Sequence, residues 1–194
     1  MTWEERLTEL HIALPAVAAP VAAYVPAKRV GNFVYTSGQL PFVDGKLDKT
    51  GKVGESVSPD EAYAQARTAV LNALAAVHAV CSLNSIKSIV KVVGFVNSAA
   101  GFTGQEAVIN GASEVLGDIF GESGQHARSA VGVAELPLNA AVEVELIVEV
   151  GLALRLFLFS FCSPSFNEQG DKFGHEKQQK ERSYPGEPRN ARVE

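Results

Sequence analysis

Apolar residues recur along this chain with two different periods, and the switches between them mark out its elements. Tyr63, Ala66, Val70, Ala73, Val77 and Val80 fall every three or four positions, the spacing of one helical face. Ser58, Pro59, Asp60 and Glu61 supply the start: a serine N-cap, a proline in the first turn and a glutamate placed to return the cap. The spacing predicts a helix running to about Cys81. A second long helix follows Thr103, Gly104, Gln105 and Glu106, read as another capping box. Val108, Ala112, Val115, Ile119 and Phe120 make its inward stripe, and residues 121–124 end it. At the N terminus Thr2 and Glu5 form a further capping box. Leu7, Leu10 and Leu14 share a face and Pro15 stops the helix, which occupies residues 1–15.

Elsewhere the pattern is that of strands. Residues 15–27 are rich in Ala and Pro and read as extended, with an edge strand at their end. Residues 32–40, NFVYTSGQL, are β-branched and aromatic and break at Gly38. Asp44 and Gly45 between Phe42-Val43 and Leu47 signal a tight turn, and residues 46–57 read as polar loop. Residues 86–97, 128–134 and 141–150 complete the strands. Strands, helix, strand, helix and two strands describe an α+β fold, a mixed sheet covered on one face by two long helices. Residues 1–150 form one such domain. The extension 151–194 opens with GLALRLFLFSF and then turns polar, with the composition of disorder, and no function is read from it.

Composition narrows the classes. The 194 residues carry a net charge of −5, which argues against a broad nucleic-acid footprint. Cys81 and Cys162 make neither a disulfide framework nor a metal spacing. No secretory leader and no apolar run approaching the ~20 residues of a membrane span is evident, so a soluble cytoplasmic protein is expected. His11, His78, His126 and His175 form no ligand motif, and His126 reads as a solvated loop residue. No phosphate loop or nucleophile elbow is present, and no cofactor or metal is expected.

The chemistry concentrates in the last two strands, HARSAVGVAELPLNAAVEVELIVEV from His126 to Val150. A four-residue loop, 136–139, predicts a hairpin with residue 135 opposite 140. The even positions of 142–150 then face the helices together with Val131 and Val133. Arg128, Ala130, Gly132 and Ala134 fall on the opposite face, with Glu143, Glu145 and Glu149. That face is either a solvated sheet surface or a pocket. In the pocket Arg128 anchors an anion and a glutamate holds a water or passes a proton.

YTSGQLP at residues 35–41, combined with that C-terminal stretch, resembles the RidA/YjgF/UK114 family, formerly labelled endoribonuclease L-PSP. The resemblance spans about residues 5–150. It implies a chorismate-mutase-like fold and a homotrimer with ligand clefts between subunits. It also implies cofactor-independent hydrolysis of 2-imino or enamine acids to 2-oxo acids and ammonia. By this likeness Arg128 binds the substrate carboxylate, Glu143 positions water, and Ser37 and Gly38 line the cleft. The family pattern is altered at Ala130, where it has cysteine, and at Ala100, where it has asparagine. Tyr24 is the nearest residue to its N-terminal tyrosine. A trimeric small-molecule binder or chaperone-like protein, and a ribonuclease, are the alternatives the resemblance leaves open.

Overall fold

The computed structural model describes residues 1–17 and 23–151, so the expectations for the tail beyond Gly151 lie outside the described residues. The elements are α1 (Trp3–Glu9), β1 (Ala27–Val30), β2 (Phe33–Thr36), β3 (Phe42–Val43), β4 (Lys46–Leu47), α2 (Pro59–His78), β5 (Ile86–Asn97), α3 (Gln105–Phe120), β6 (Ala127–Val133) and β7 (Val142–Val150).

Local chemistry accounts for most of the boundaries. Thr2 and Ser58 each accept from the third helical amide, while Glu5 and Glu61 return to the cap amides. The third helix differs from the expectation. Its cap is Gly104, one residue after Thr103, and no side chain bonds the free amides. The first helix is also shorter than predicted. It ends at Glu9, His11 turns with φ 54, and Leu10 and Leu14 pack on the core from beyond the helix. Asp44 and Gly45 both take positive φ and join β3 to β4 as a two-residue hairpin. The supposed polar loop 46–57 contains β4, and Val53 and Val57 within it are fully buried.

The main sheet runs β1-β2-β7-β5-β6. Every pairing is antiparallel except β5 with β6. The expected β6–β7 hairpin does not exist, because β5 lies between the two strands. The reason is the crossover. β5, α3 and β6 form a strand–helix–strand unit, which returns the chain to the end where β5 began and sets β6 parallel beside it. The connection after β6 then makes a short 3-10 turn at Pro137–Asn139, with Leu138 and Asn139 at positive φ, and carries the chain across to β7.

Both long helices cover one sheet face. Val142, Val144, Leu146, Val148 and Val150 of β7 are buried beneath them with Val34, Val92 and Val96. The approach is close where glycine allows it. A Cβ on Gly94 would lie 2.5 Å from Ile109, and one on Gly111 would lie 2.1 Å from the Tyr63 carbonyl oxygen. The opposite face carries exposed Phe33, Tyr35 and Val131, at 39%, 43% and 44% exposure. No described element covers it.

Candidate functional site

Glu143 sits near the start of β7 on the open face, level with Phe95 of β5, which in turn pairs with Val131. Its neighbour is the turn after β2. Tyr35 pairs with Ile147, whereas Gln39 bridges to Val144 through bonds of 2.9 and 3.0 Å. Four steps along one strand thus match three along the other. The extra residue forms a bulge, the usual device for re-aiming side chains at a site. Thr36 fills the gap in the ladder, its hydroxyl accepting from the Leu146 amide at 2.9 Å. Ser37 is committed to the 25–26 segment, donating from its amide to Pro26 O at 2.9 Å and from its hydroxyl to Val25 O at 2.8 Å.

Gly38 is the residue that lets this corner form. A Cβ there would lie 1.6 Å from Glu143 Oε1, so the carboxylate lies directly against the backbone of residue 38. Burial pushes the Glu143 carboxyl above its ordinary value, and the charge of Glu145 adds to the effect. Gly38 and Glu143 are therefore in contact, while the polar groups of Ser37, next in the chain, are turned to the 25–26 segment.

Arg128 is not among them. Its partner on β5 is Val92, which pairs with Leu146 on β7, so Arg128 stands on the helix-covered face. Ala130 and Gly132 share that face, while Val131 points to the open one. This reverses the expected assignment of both sets. A strand side chain changes face with every residue, so replacing the supposed hairpin partner by a parallel one was enough to invert it. Lying on an edge strand, Arg128 stays half-buried and reaches α3. Nη1 donates to Asn110 Oδ1 at 2.8 Å and to Ser113 Oγ at 3.1 Å. Among the described residues Nε and Nη2 have no hydrogen-bond partner.

His126 is not a solvated loop residue; its ring contacts Ser113 Oγ at 3.0 Å and Gly124 O at 2.6 Å. Asn97, close to the altered asparagine position, is fully buried and accepts from Lys52 Nζ at 2.9 Å. Lys52 also bonds Ala134 O and pairs with Glu135, which ties the 50–57 segment to the end of β6. Asn97 is thus a structural lock. Ala100 and Tyr24 are exposed. A cavity of about 300 Å3 beside Gln39, Phe42 and Asn72 includes neither Arg128 nor Glu143. Among the described residues no group of three His, Cys, Asp or Glu could hold a metal ion, and no helix is long and apolar enough to cross a membrane.

The chain matches the family model described as "YjgF/chorismate mutase-like, putative endoribonuclease" over residues 4–150. The chain belongs to the RidA/YjgF family. This RidA/YjgF chain is 44% identical over 146 residues to Protein TCP17 of Trypanosoma cruzi, covering 74% of this chain and 91% of that one. It is 37% identical over 139 residues to the 2-iminobutanoate/2-iminopropanoate deaminase of Dermatophagoides farinae, covering 72% and 94%. Among solved structures, the protein Atu1372 of Agrobacterium tumefaciens superimposes with a TM-score of 0.71 at 44% identity, covering 77% of this chain and 92% of that one.

Proposed function

We propose that this RidA/YjgF chain hydrolyses 2-imino or enamine acids to 2-oxo acids and ammonia, in clefts that form between copies of a homotrimer. The observation that carries the reading is the Glu143 carboxylate laid against Gly38, with its affinity for protons raised by burial. A carboxylate so tuned can take a proton from water as the oxygen attacks the imine carbon, and return it to the departing nitrogen. Imines hydrolyse readily, so placement of water and substrate supplies most of what is needed. Arg128 offers the unoccupied Nε and Nη2 edge of its guanidinium, which suits two parallel hydrogen bonds to a substrate carboxylate.

Arg128 and Glu143 lie on opposite faces of one sheet, with β5 between their strands. A single copy therefore cannot bring both to one ligand. The β6 edge of one copy set against the Gly38 corner of the next does so, and the exposed apolar residues of the open face fit burial in a closed ring. Deaminase relatives such as that of Dermatophagoides farinae support the same chemistry.

The test is a complementation assay. A threonine dehydratase generates the imine in place and semicarbazide traps what survives. Wild type is expected to suppress trapping, while Arg128→Ala and Glu143→Ala each fail. Co-refolding the two variants should restore about a quarter of the sites, because mixed rings contain one interface with both groups intact. No restoration would sink the shared site. A non-catalytic binder is the second reading, favoured by the methyl group of Ala130 beside Arg128, which brings no polar group to the cleft. It predicts 2-oxo acid binding without suppression of trapping.

A further inference from the structure

Arg128 is held by a chain of side chains that no catalytic step uses. Asn110 and Ser113 stand one turn apart on α3, and both take a hydrogen bond from the same nitrogen, Nη1. Behind them His126 contacts Ser113 Oγ through Nε2 at 3.0 Å and Gly124 O through Nδ1 at 2.6 Å. A carbonyl oxygen only accepts, so Nδ1 carries a hydrogen. In the neutral ring Nε2 is then an acceptor, and the Ser113 hydroxyl donates its only hydrogen to it. That leaves the lone pairs of Ser113 to receive Arg128. The far end of the chain is fixed too, since a Cβ on Gly124 would lie 2.5 Å from the Leu116 carbonyl oxygen. Gly124 therefore packs against the end of α3, and its carbonyl is a rigid anchor.

We propose that Asn110, Ser113 and His126 are positioning residues that set the plane of the Arg128 guanidinium, with His126 as the neutral Nδ1–H tautomer. This rests on the reading of Arg128 as the carboxylate anchor. With Nη1 occupied, the edge formed by Nε and Nη2 is left for a planar ligand. Fixing the plane in advance lowers the entropy cost of a bidentate grip. Without the chain the guanidinium keeps its charge but loses its direction.

The test uses side-chain NMR on the full chain, with binding of 2-oxobutanoate as a second readout. Two-bond nitrogen–proton spectra are expected to show His126 protonated at Nδ1. In wild type the Arg128 Nε–H group is expected to be as ordered as the backbone. His126→Ala and Ser113→Ala should each release it and weaken 2-oxobutanoate binding about tenfold, the worth of a hydrogen bond or so. His126→Gln offers its amide oxygen where Nε2 stood and should recover most of both losses. In an Arg128→Ala background His126→Ala should have no further effect on binding. An Nε2–H tautomer, an unchanged Arg128 signal in Ser113→Ala, or additive losses in the double variant would overturn the proposal. If the NMR changes appear while wild type binds no 2-oxobutanoate, the positioning chain stands and the anchor role of Arg128 falls.

Discussion

Two glutamates in this chain are tuned in opposite directions, and each gives a signed pH test. Glu61 is held down to about 2, first by the hydrogen bond from Lys49 and then by the cap amide and hydroxyl of Ser58. Its contribution to stability is present above the ordinary value of 4.5 and is lost as pH falls toward 2. Glu61→Gln should therefore flatten that part of the melting-temperature profile, read by calorimetry between those pH values. Glu143 is pushed up by burial, so ionising it costs stability. That cost is absent below 4.5 and grows as pH rises through the raised folded value. Glu143→Gln should unfold at higher urea than wild type at neutral pH, converge with it in acid, and lose turnover. Gly38→Ala separates folding from function. The three atoms nearest its methyl all belong to the Glu143 side chain, which can swing away, so the melt should hardly move while turnover drops.

At the scale of elements, helix starts and helix contacts make distinct predictions. The capping box at Ser58 is formed, so Ser58→Ala should cost about 1 kcal/mol in a urea melt. Thr103→Ala should cost almost nothing, because α3 is capped at Gly104. The difference shows how far a motif in the sequence can be trusted. T-x-x-E and S-x-x-E described α1 and α2 correctly, but T-x-x-E at Thr103 missed by one residue the place where the chain becomes helical. Gly111 is a contact of another kind. A methyl there is driven against the backbone of Tyr63, which cannot rotate aside. Gly111→Ala should therefore destabilise by about 1–3 kcal/mol, even though alanine is the better helix former.

For the whole molecule the question is what covers the open sheet face. Phe33, Tyr35 and Val131 are exposed on it, and the glutamates between them leave it mixed rather than dry. Val131→Glu should leave cooperative unfolding intact, since the residue touches no helix, yet yield a monomer by light scattering. Loss of turnover with loss of mass would tie activity to assembly. A Val131→Glu trimer would place the contact elsewhere.

The sequence by itself determined most of the elements and the inward faces of the two long helices and of β7. Helical and strand periods are local, and each residue's contribution to them is set by its neighbours a turn or a pleat away. The strand 86–97, the two long helices, the Asp44-Gly45 turn and the buried even positions of β7 all follow from that. Gly38 and Glu143 were named through the family resemblance, and their direct contact across neighbouring strands came from the structure. Only the tertiary structure decided strand order, and with it the face on which Arg128 stands. Alternation fixes faces within a strand but says nothing about which neighbour it will have, and a crossover helix chose a parallel partner where the short loop suggested an antiparallel one. The polar stripe of Asn110 and Ser113 was invisible for the same reason. Two small polar residues on an amphipathic helix signify nothing until an arginine is packed against them.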